Sequence, residues 1–180
     1  MTDAIIDACC FINLYATGDL RGFLSASEYG WHIPTVALAE SLFVRASTDA
    51  DEDTPEPIVA QPLIEDGLLE PVDVEADSEA EWYVRLAAGL DDGEAMALAI
   101  SKVRGWMTAT DDRKARRIAA SLDIPVVTTP ELMQQWAERA ALPSPVLQKL
   151  LRNIMVRARF SPAEDAPGFV WWASHVGEAG

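Results

Sequence analysis

Five acids stand where a hydrolytic site could be assembled: Asp7, Glu40, Glu94 and the adjacent pair Asp111 and Asp112. Asp7 ends the apolar run Ala4-Ile5-Ile6, and Asp111 follows the run Trp106 to Thr110. Both therefore belong at the carboxyl ends of strands, where parallel sheets gather their ligands. Glu40 lies four after Val36 and three before Phe43, so a helix through Val36 to Val44 sets it on an apolar face. An ionised carboxylate there needs a cation or a donor beside it. Glu94 shares a helical face with Ala97, Leu98 and Ser101, and Asp91 stands three residues before it at capping-box spacing.

Each acid alone has an ordinary explanation. Asp7 can cap a helix, Asp111 and Asp112 can complement a helix dipole, Glu40 can lie at the edge of an apolar stripe, and Glu94 can complete a capping box. Together they are harder to explain, because several carboxylates at one sheet edge repel one another strongly without a cation. Oxygen ligands of this kind suit Mg²⁺ or Mn²⁺ and not zinc. Such a centre can activate water and steady the charge of a phosphodiester transition state. The register of Asp111 with Ala115, Ile118 and Leu122 favours it over Asp112 as the inward acid.

Other chemistries are poorly supplied. There are two histidines, His32 and His175, neither with spaced partners, so a Ser-His-Asp or Cys-His relay is not expected. Walker A and GxGxxG motifs are absent. Cys9 and Cys10 are adjacent, a poor arrangement for a bridge or a zinc site, and read as buried small hydrophobes in a reducing cytoplasm. The 180 residues suit one domain, and nearly half are apolar, enough for a core without disulfides. No apolar run approaches the roughly 18 residues of a membrane span, and the start lacks the pattern of a signal peptide. A cytoplasmic protein with no membrane partner is expected. The net charge of −15 opposes nucleic-acid binding, but it is segregated. Acids crowd Asp49 to Glu56 and Asp73 to Glu81, whereas Arg113, Lys114, Arg116 and Arg117, then Lys149, Arg152, Arg157 and Arg159, cluster elsewhere.

These residues need a scaffold, and the pattern predicts one. A strand at 4–7 is followed by helical segments at 11–15 and 20–26, broken near Gly18. Pro34 suits the first turn of the helix carrying Glu40. The Thr48 to Pro57 stretch reads as a surface loop, Ile58 to Ile64 as a short apolar segment, and Leu68 to Val74 as a strand. Ser78 to Glu81 has capping-box spacing ahead of a helix at 82–88. From Asp92 the order is helix to Lys102, strand at 106–110, helix at 111–121, strand at 124–128, then a helix from Pro130. This alternation is that of βαβ units and a parallel sheet. A further helix at 144–159 precedes a Trp-rich tail with no predicted structure.

At this point the motifs resemble those of PIN-domain nucleases. Ile5-Ile6-Asp7-Ala8 with Phe11-Ile12-Asn13-Leu14 is similar to the opening motif, and Ala39-Glu40 to the second acidic position. Leu90-Asp91-Asp92-Gly93-Glu94-Ala95 resembles the third motif in the branch that uses glutamate. Thr108 to Arg116 looks like the fourth, and Ile124-Pro125-Val126-Val127 like the strand after it. The resemblance implies a three-layer α/β/α sandwich around a central parallel sheet. It implies Mg²⁺- or Mn²⁺-dependent endoribonuclease activity, commonly as the toxin of a VapBC-type toxin–antitoxin pair, with RNA as substrate and an antitoxin protein as partner. Asp7, Glu40 and Glu94 carry over as metal-binding catalytic residues, and Asp111 or Asp112 fills the fourth position. Arg113, Lys114, Arg116, Asn13 and Thr110 fall on the substrate side.

We divide the chain into a PIN-like domain at 1–142 and a helical extension and tail at 143–180. The extension and the acidity depart from the compact toxins. Leu147, Leu150, Leu151 and Ile154 form a stripe that needs a cover, either the domain body or a second copy, and a homodimer is expected. A non-catalytic PIN-like module binding a protein through the Trp-rich tail is the alternative function. A phosphoacceptor receiver would need paired acids after the first strand and a lysine after the last, and the chain has neither.

Overall fold

The structure, a computed structural model, describes residues 2–40, 43–46 and 54–176. The chain opens with β1 (Thr2–Ile6), α1 (Ala8–Ala16), α2 (Leu20–Ala26) and β2 (Tyr29–Pro34). It continues through α3 (Thr35–Glu40), β3 (Phe43–Arg45), β4 (Pro55–Pro57), α4 (Gln61–Glu65) and β5 (Glu70–Val72). Next come α5 (Asp77–Ala87), α6 (Asp92–Arg104), β6 (Met107–Ala109), α7 (Arg113–Ser121) and β7 (Val126–Val127). Three helices follow: α8 (Thr129–Arg139), α9 (Ser144–Arg157) and α10 (Phe169–His175).

Five strands form one parallel sheet in the order β5-β2-β1-β6-β7. β1 is central and buried on both faces, which is why its sequence is a plain apolar run rather than an alternation. Its side chains still alternate between layers. Ala4 and Ile6 join the large core with Phe11, Leu14, Met133 and Leu151, while Ile5 packs with Ala97 and Ile100 of α6 on the other face. The result is the expected α/β/α sandwich. From β1 the chain proceeds outward to β2 and β5, then returns to β6 and β7 on the other side. Strand order therefore reverses between β1 and β6, and the crevice above their carboxyl ends is the natural ligand site. Asp7 and Thr110 flank it, tied by the Asp7 N–H to the Ala109 carbonyl at 3.1 Å.

Several elements depart from the expected ones. Helix α3 is described as far as Glu40, Ser41 and Leu42 lie outside the described residues, and by Phe43 the chain is in β3, paired antiparallel with β4. Phe43-Val44-Arg45 has the β-branched and aromatic content of a strand, and its partner Pro55–Pro57 lies in the stretch read as a loop. Residues 47–53 of that loop lie outside the described residues. Pro34 is the last residue of β2 and not part of a helix turn. Helix α5 starts at Asp77, so Ser78 to Glu81 lie within it, and Glu79 reaches back to the N–H groups of Glu75 and Ala76 at 2.8 and 3.2 Å. Helix α7 starts at Arg113, which leaves Asp111 in the preceding loop.

The stripe of α9 is covered by its own chain. Leu147, Leu150, Leu151 and Ile154 are buried in the large core with Trp136 of α8 and Trp172 of α10. Its last turn is clamped by Asn153 on the Thr17 carbonyl and by Arg157 on the Ala16 and Arg45 carbonyls and Glu56. The reason given for a homodimer is thereby removed, because the stripe offers no free face. The Trp-rich tail forms α10. Among the described residues no helix is long and apolar enough to cross a membrane.

Candidate metal centre

Asp7 leaves β1 in extended conformation and caps α1, its Oδ1 accepting the Cys10 N–H at 2.7 Å. Only 2% of it is exposed, and its Oδ2 is buried with no hydrogen-bond partner. The capping role therefore accounts for one oxygen and leaves the other without a partner. Burial pushes its carboxyl up to about 7, with the charges of Asp111 and Glu94 adding and the Thr110 hydroxyl and Cys10 amide opposing.

Glu94 lies in the first turn of α6, half-buried, its own N–H held by Asp91 Oδ1 at 2.8 Å. Its carboxyl is also pushed up to about 7, first by burial and then by Asp91 and Asp112, with Lys114 opposing. Both carboxyls are raised first by burial and then by the like charges of their neighbours at one sheet edge.

Asp111 and Asp112 divide the fourth position between them. Asp111 points inward, where Oδ1 accepts the Thr129 N–H at 2.9 Å. Its Oδ2 accepts the Thr129 hydroxyl at 2.5 Å, the Asn13 amide at 3.0 Å and the Cys10 thiol at 3.2 Å. Asp112 caps α7 through a 2.6 Å bond from the Ala115 N–H, and its own N–H donates to the Thr110 hydroxyl at 3.2 Å. Asp111 is the acid turned inward, but the loop aims it, since it lies outside the helix whose register favoured it.

Glu40 stands apart. It is exposed at the end of α3, its Oε2 only 3.2 Å from where a Cβ on Gly93 would lie, so the bare backbone at position 93 admits it. Its carboxyl is raised by partial desolvation and by Asp91 and Asp92. The acids therefore form a chain of neighbours: Asp7 with Asp111 and Glu94, Glu94 with Asp91 and Asp112, and Glu40 with Asp91 and Asp92. Among the described residues no three such side chains close around one point as a ready metal cage. The all-oxygen donor set and the partnerless Asp7 Oδ2 nonetheless fit an ion of the Mg²⁺ type, which keeps several waters and takes one or two carboxylates.

The residues expected on the substrate side divide into two groups. Asn13 and Thr110 are buried behind the acids, Asn13 donating to Asp111 and to the Thr129 hydroxyl at 3.3 Å. Arg113, Lys114 and Arg116 open α7 above them. Arg113 pairs with Asp165 at 3.0 Å, Lys114 donates to the Gly89 carbonyl, and Arg116 holds the Asp111 carbonyl at 2.6 Å.

Cys9 corrects its expectation: it is exposed, and only Cys10 is buried. Cys10 is also no inert hydrophobe, since its Sγ donates to Asp111 and lies 3.4 Å from the Thr129 hydroxyl oxygen. Thr129 is a site residue that the sequence reading missed. The Thr128-Thr129-Pro130 cap directly after the last strand was the available signal.

A parallel sheet with its acids at the switch point defines a class, and sequence comparison confirms it. A family model for the PIN domain matches residues 3–164, and the chain belongs to that family. PIN domains are nuclease folds that act on nucleic acid and typically use divalent metals. No curated protein sequence matches the chain.

Proposed function

We propose that this chain is a Mg²⁺- or Mn²⁺-dependent endoribonuclease, acting as the toxin of a toxin–antitoxin pair. The observation that carries the reading is the buried, partnerless Oδ2 of Asp7, set beside Asp111 and Glu94 at the switch point of a nuclease fold. A divalent cation would be held by Asp7, Glu94 and Asp112, whose oxygens are not all taken by protein donors, and would supply charge neutralisation and a more acidic water.

The chain's own residues do the rest. Asp111, fixed by Thr129, Asn13 and Cys10, is a buttress that keeps the Thr110–Asp112 loop in place. Glu40 with Asp91 and Asp92 extends the negative edge on that side. Arg113, Lys114 and Arg116 exchange their internal acceptors for phosphate oxygens of the strand. Glu94, whose carboxyl is raised in the free chain by burial and by Asp91 and Asp112, would be drawn into its charged form by the cation it helps to hold.

The test is cleavage of single-stranded RNA by the purified chain with Mn²⁺, Mg²⁺ or a chelator. Metal-dependent cleavage that Asp7→Asn and Glu94→Gln abolish is expected. A folded wild-type chain that neither cuts RNA nor takes up Mn²⁺ by calorimetry overturns the reading. For the toxin role, expression should arrest growth, and co-expression of a small reading frame overlapping or preceding the gene should relieve it.

A further inference from the structure

Beside the acids is a hollow that the nuclease reading has not used. Its volume is about 110 Å³, and its walls come from the loop and first turns at the start of α7 and from the 160–166 segment between α9 and α10. Phe160 and Pro162 supply an apolar wall, Arg113 and Arg116 a cationic one, and Asp111 and Asp165 complete its rim. A water's share of liquid volume is about 30 Å³, so the space suits a single planar ring system and excludes a folded peptide element.

The walls are held in shape. Phe160 meets buried Trp172 edge to face at 5.9 Å, which fixes its ring. The far end of the segment is tied by the Thr128 hydroxyl to the Pro167 carbonyl at 3.2 Å. Gly168 there has a φ of +77°, and a Cβ on it would lie 2.8 Å from Pro130. The segment is thus pinned at both ends beside the centre.

We propose that this hollow is a subsite for one nucleotide of a single-stranded RNA, with its base against Phe160 and its phosphate on Arg113 and Arg116. The proposal rests on the ribonuclease reading and deepens it. An aromatic face with two guanidiniums is the combination that binds unpaired nucleotides, because every base can stack and every phosphate can take an N–H. Arg116 donates one N–H to the Asp111 carbonyl at 2.6 Å, and a guanidinium has five. Arg113 is held at 3.0 Å by Asp165 in a pair whose side chains are 73% and 57% exposed, so it is readily exchanged for phosphate. Asp165 therefore occupies the place of a phosphate in the free chain and opposes RNA binding. A paired base could not enter, which selects single strands.

The test is equilibrium binding of a short labelled single-stranded RNA to the full chain, carrying Asp7→Asn to prevent cleavage. In that background Phe160→Leu keeps the contact with Trp172 but removes the ring, and should weaken binding about tenfold, as loss of one base stack implies. Asp165→Asn should tighten binding several-fold, whereas Glu164→Gln makes the same charge change one residue away, off the lining, and should alter it less than about twofold. Unchanged affinity in Phe160→Leu, or equal effects of Asp165→Asn and Glu164→Gln, overturns the subsite. Failure of the parent reading is separable. A wild-type chain that cuts no RNA but shows this affinity pattern overturns the nuclease and keeps the subsite, and an active nuclease without the pattern does the opposite.

Discussion

Replacing Asp7 by Asn should stabilise the metal-free protein while destroying its metal response. Asn caps a helix as well as Asp does, so the bond from the Cys10 N–H to Oδ1 survives. What disappears is a buried carboxylate with one partnerless oxygen. Its carboxyl rises from an ordinary 3.8 to about 7, which corresponds to about 4 kcal/mol between the two protonation states. Solvent above the site and relaxation of the neighbouring acids reduce this to about 2 kcal/mol. The sign follows from linkage: a carboxyl raised in the folded state binds protons more tightly than the unfolded chain does. The contribution of Asp7 to wild-type stability is therefore full below about pH 4, falls as the pH rises towards about 7, and levels off above that. Asp7→Asn should be free of this loss. In a chelator at pH 8 its Tm should exceed that of wild type by about 4–8 °C, and at pH 5 by less than half as much. Adding Mn²⁺ should reverse the order, because only the wild type gains from binding. Thermal unfolding followed by circular dichroism at the two pH values decides it. A variant less stable than wild type at pH 8 in chelator, or one with the same gain at both pH values, would show that Asp7 is not an uncompensated buried acid.

Asp112→Asn should abolish Mn²⁺-dependent cleavage with less than about 1 kcal/mol change in stability, the amide remaining a serviceable cap for α7. Asp111→Asn should instead cost about 2 kcal/mol, since the bonds from Thr129, Asn13 and Cys10 lose their charge, and urea unfolding of both variants checks the contrast. Leu151→Ala should cost about 3 kcal/mol, and a chain ending at residue 143 should aggregate instead of persisting as a folded monomer, as sedimentation would reveal. Arg104→Met should cost about 2–3 kcal/mol by leaving Glu79 buried without its partner at 2.6 Å. Glu79 is held down to about 2 chiefly by Arg104, so its stabilisation is present above its ordinary 4.5 and is lost as the pH falls towards 2, a loss the Arg104 variant should not show in acid titration.

What the sequence made legible was local. Asp7 and Asp111 could be placed because an acid at the end of a buried strand reaches the ligand edge of any parallel sheet. Helix α9 was legible from its stripe, but a stripe says only that a cover exists, and the cover was its own core and not a second copy. The extent of the helix carrying Glu40 was misread through a neighbour. Phe43 counts as a helical stripe residue until its pairing with Pro57 is known, and that pairing joins segments that are not adjacent in the chain. The buttress around Asp111 was hidden for a similar reason. Asn13 and Thr129 lie 98 and 18 residues from it, and each looks ordinary in its own stretch of chain. Cys10 was assigned by the usual burial of free thiols, which holds here and still misses its polar contacts.

The acidity of the chain and an RNA substrate are reconciled by the placement of the charges. Most of the net −15 comes from stretches remote in sequence from α7, whose four basic residues follow Asp111 and Asp112 directly in the chain. In the free chain three of those residues are held internally: Arg113 by Asp165, Lys114 by the Gly89 carbonyl and Arg116 by the Asp111 carbonyl. Asp7 and Glu94 ionise near pH 7, so the same face grows more repulsive to phosphate just where the basic side chains are already engaged. Both obstacles ease together once the carboxylates are neutralised. Lys114 is then no longer drawn towards Glu94, and a phosphate competes on better terms for Arg113 and Arg116. On the proposed function, affinity for RNA would be coupled to neutralisation of the acids, so that an acidic chain could bind RNA without a permanent basic face.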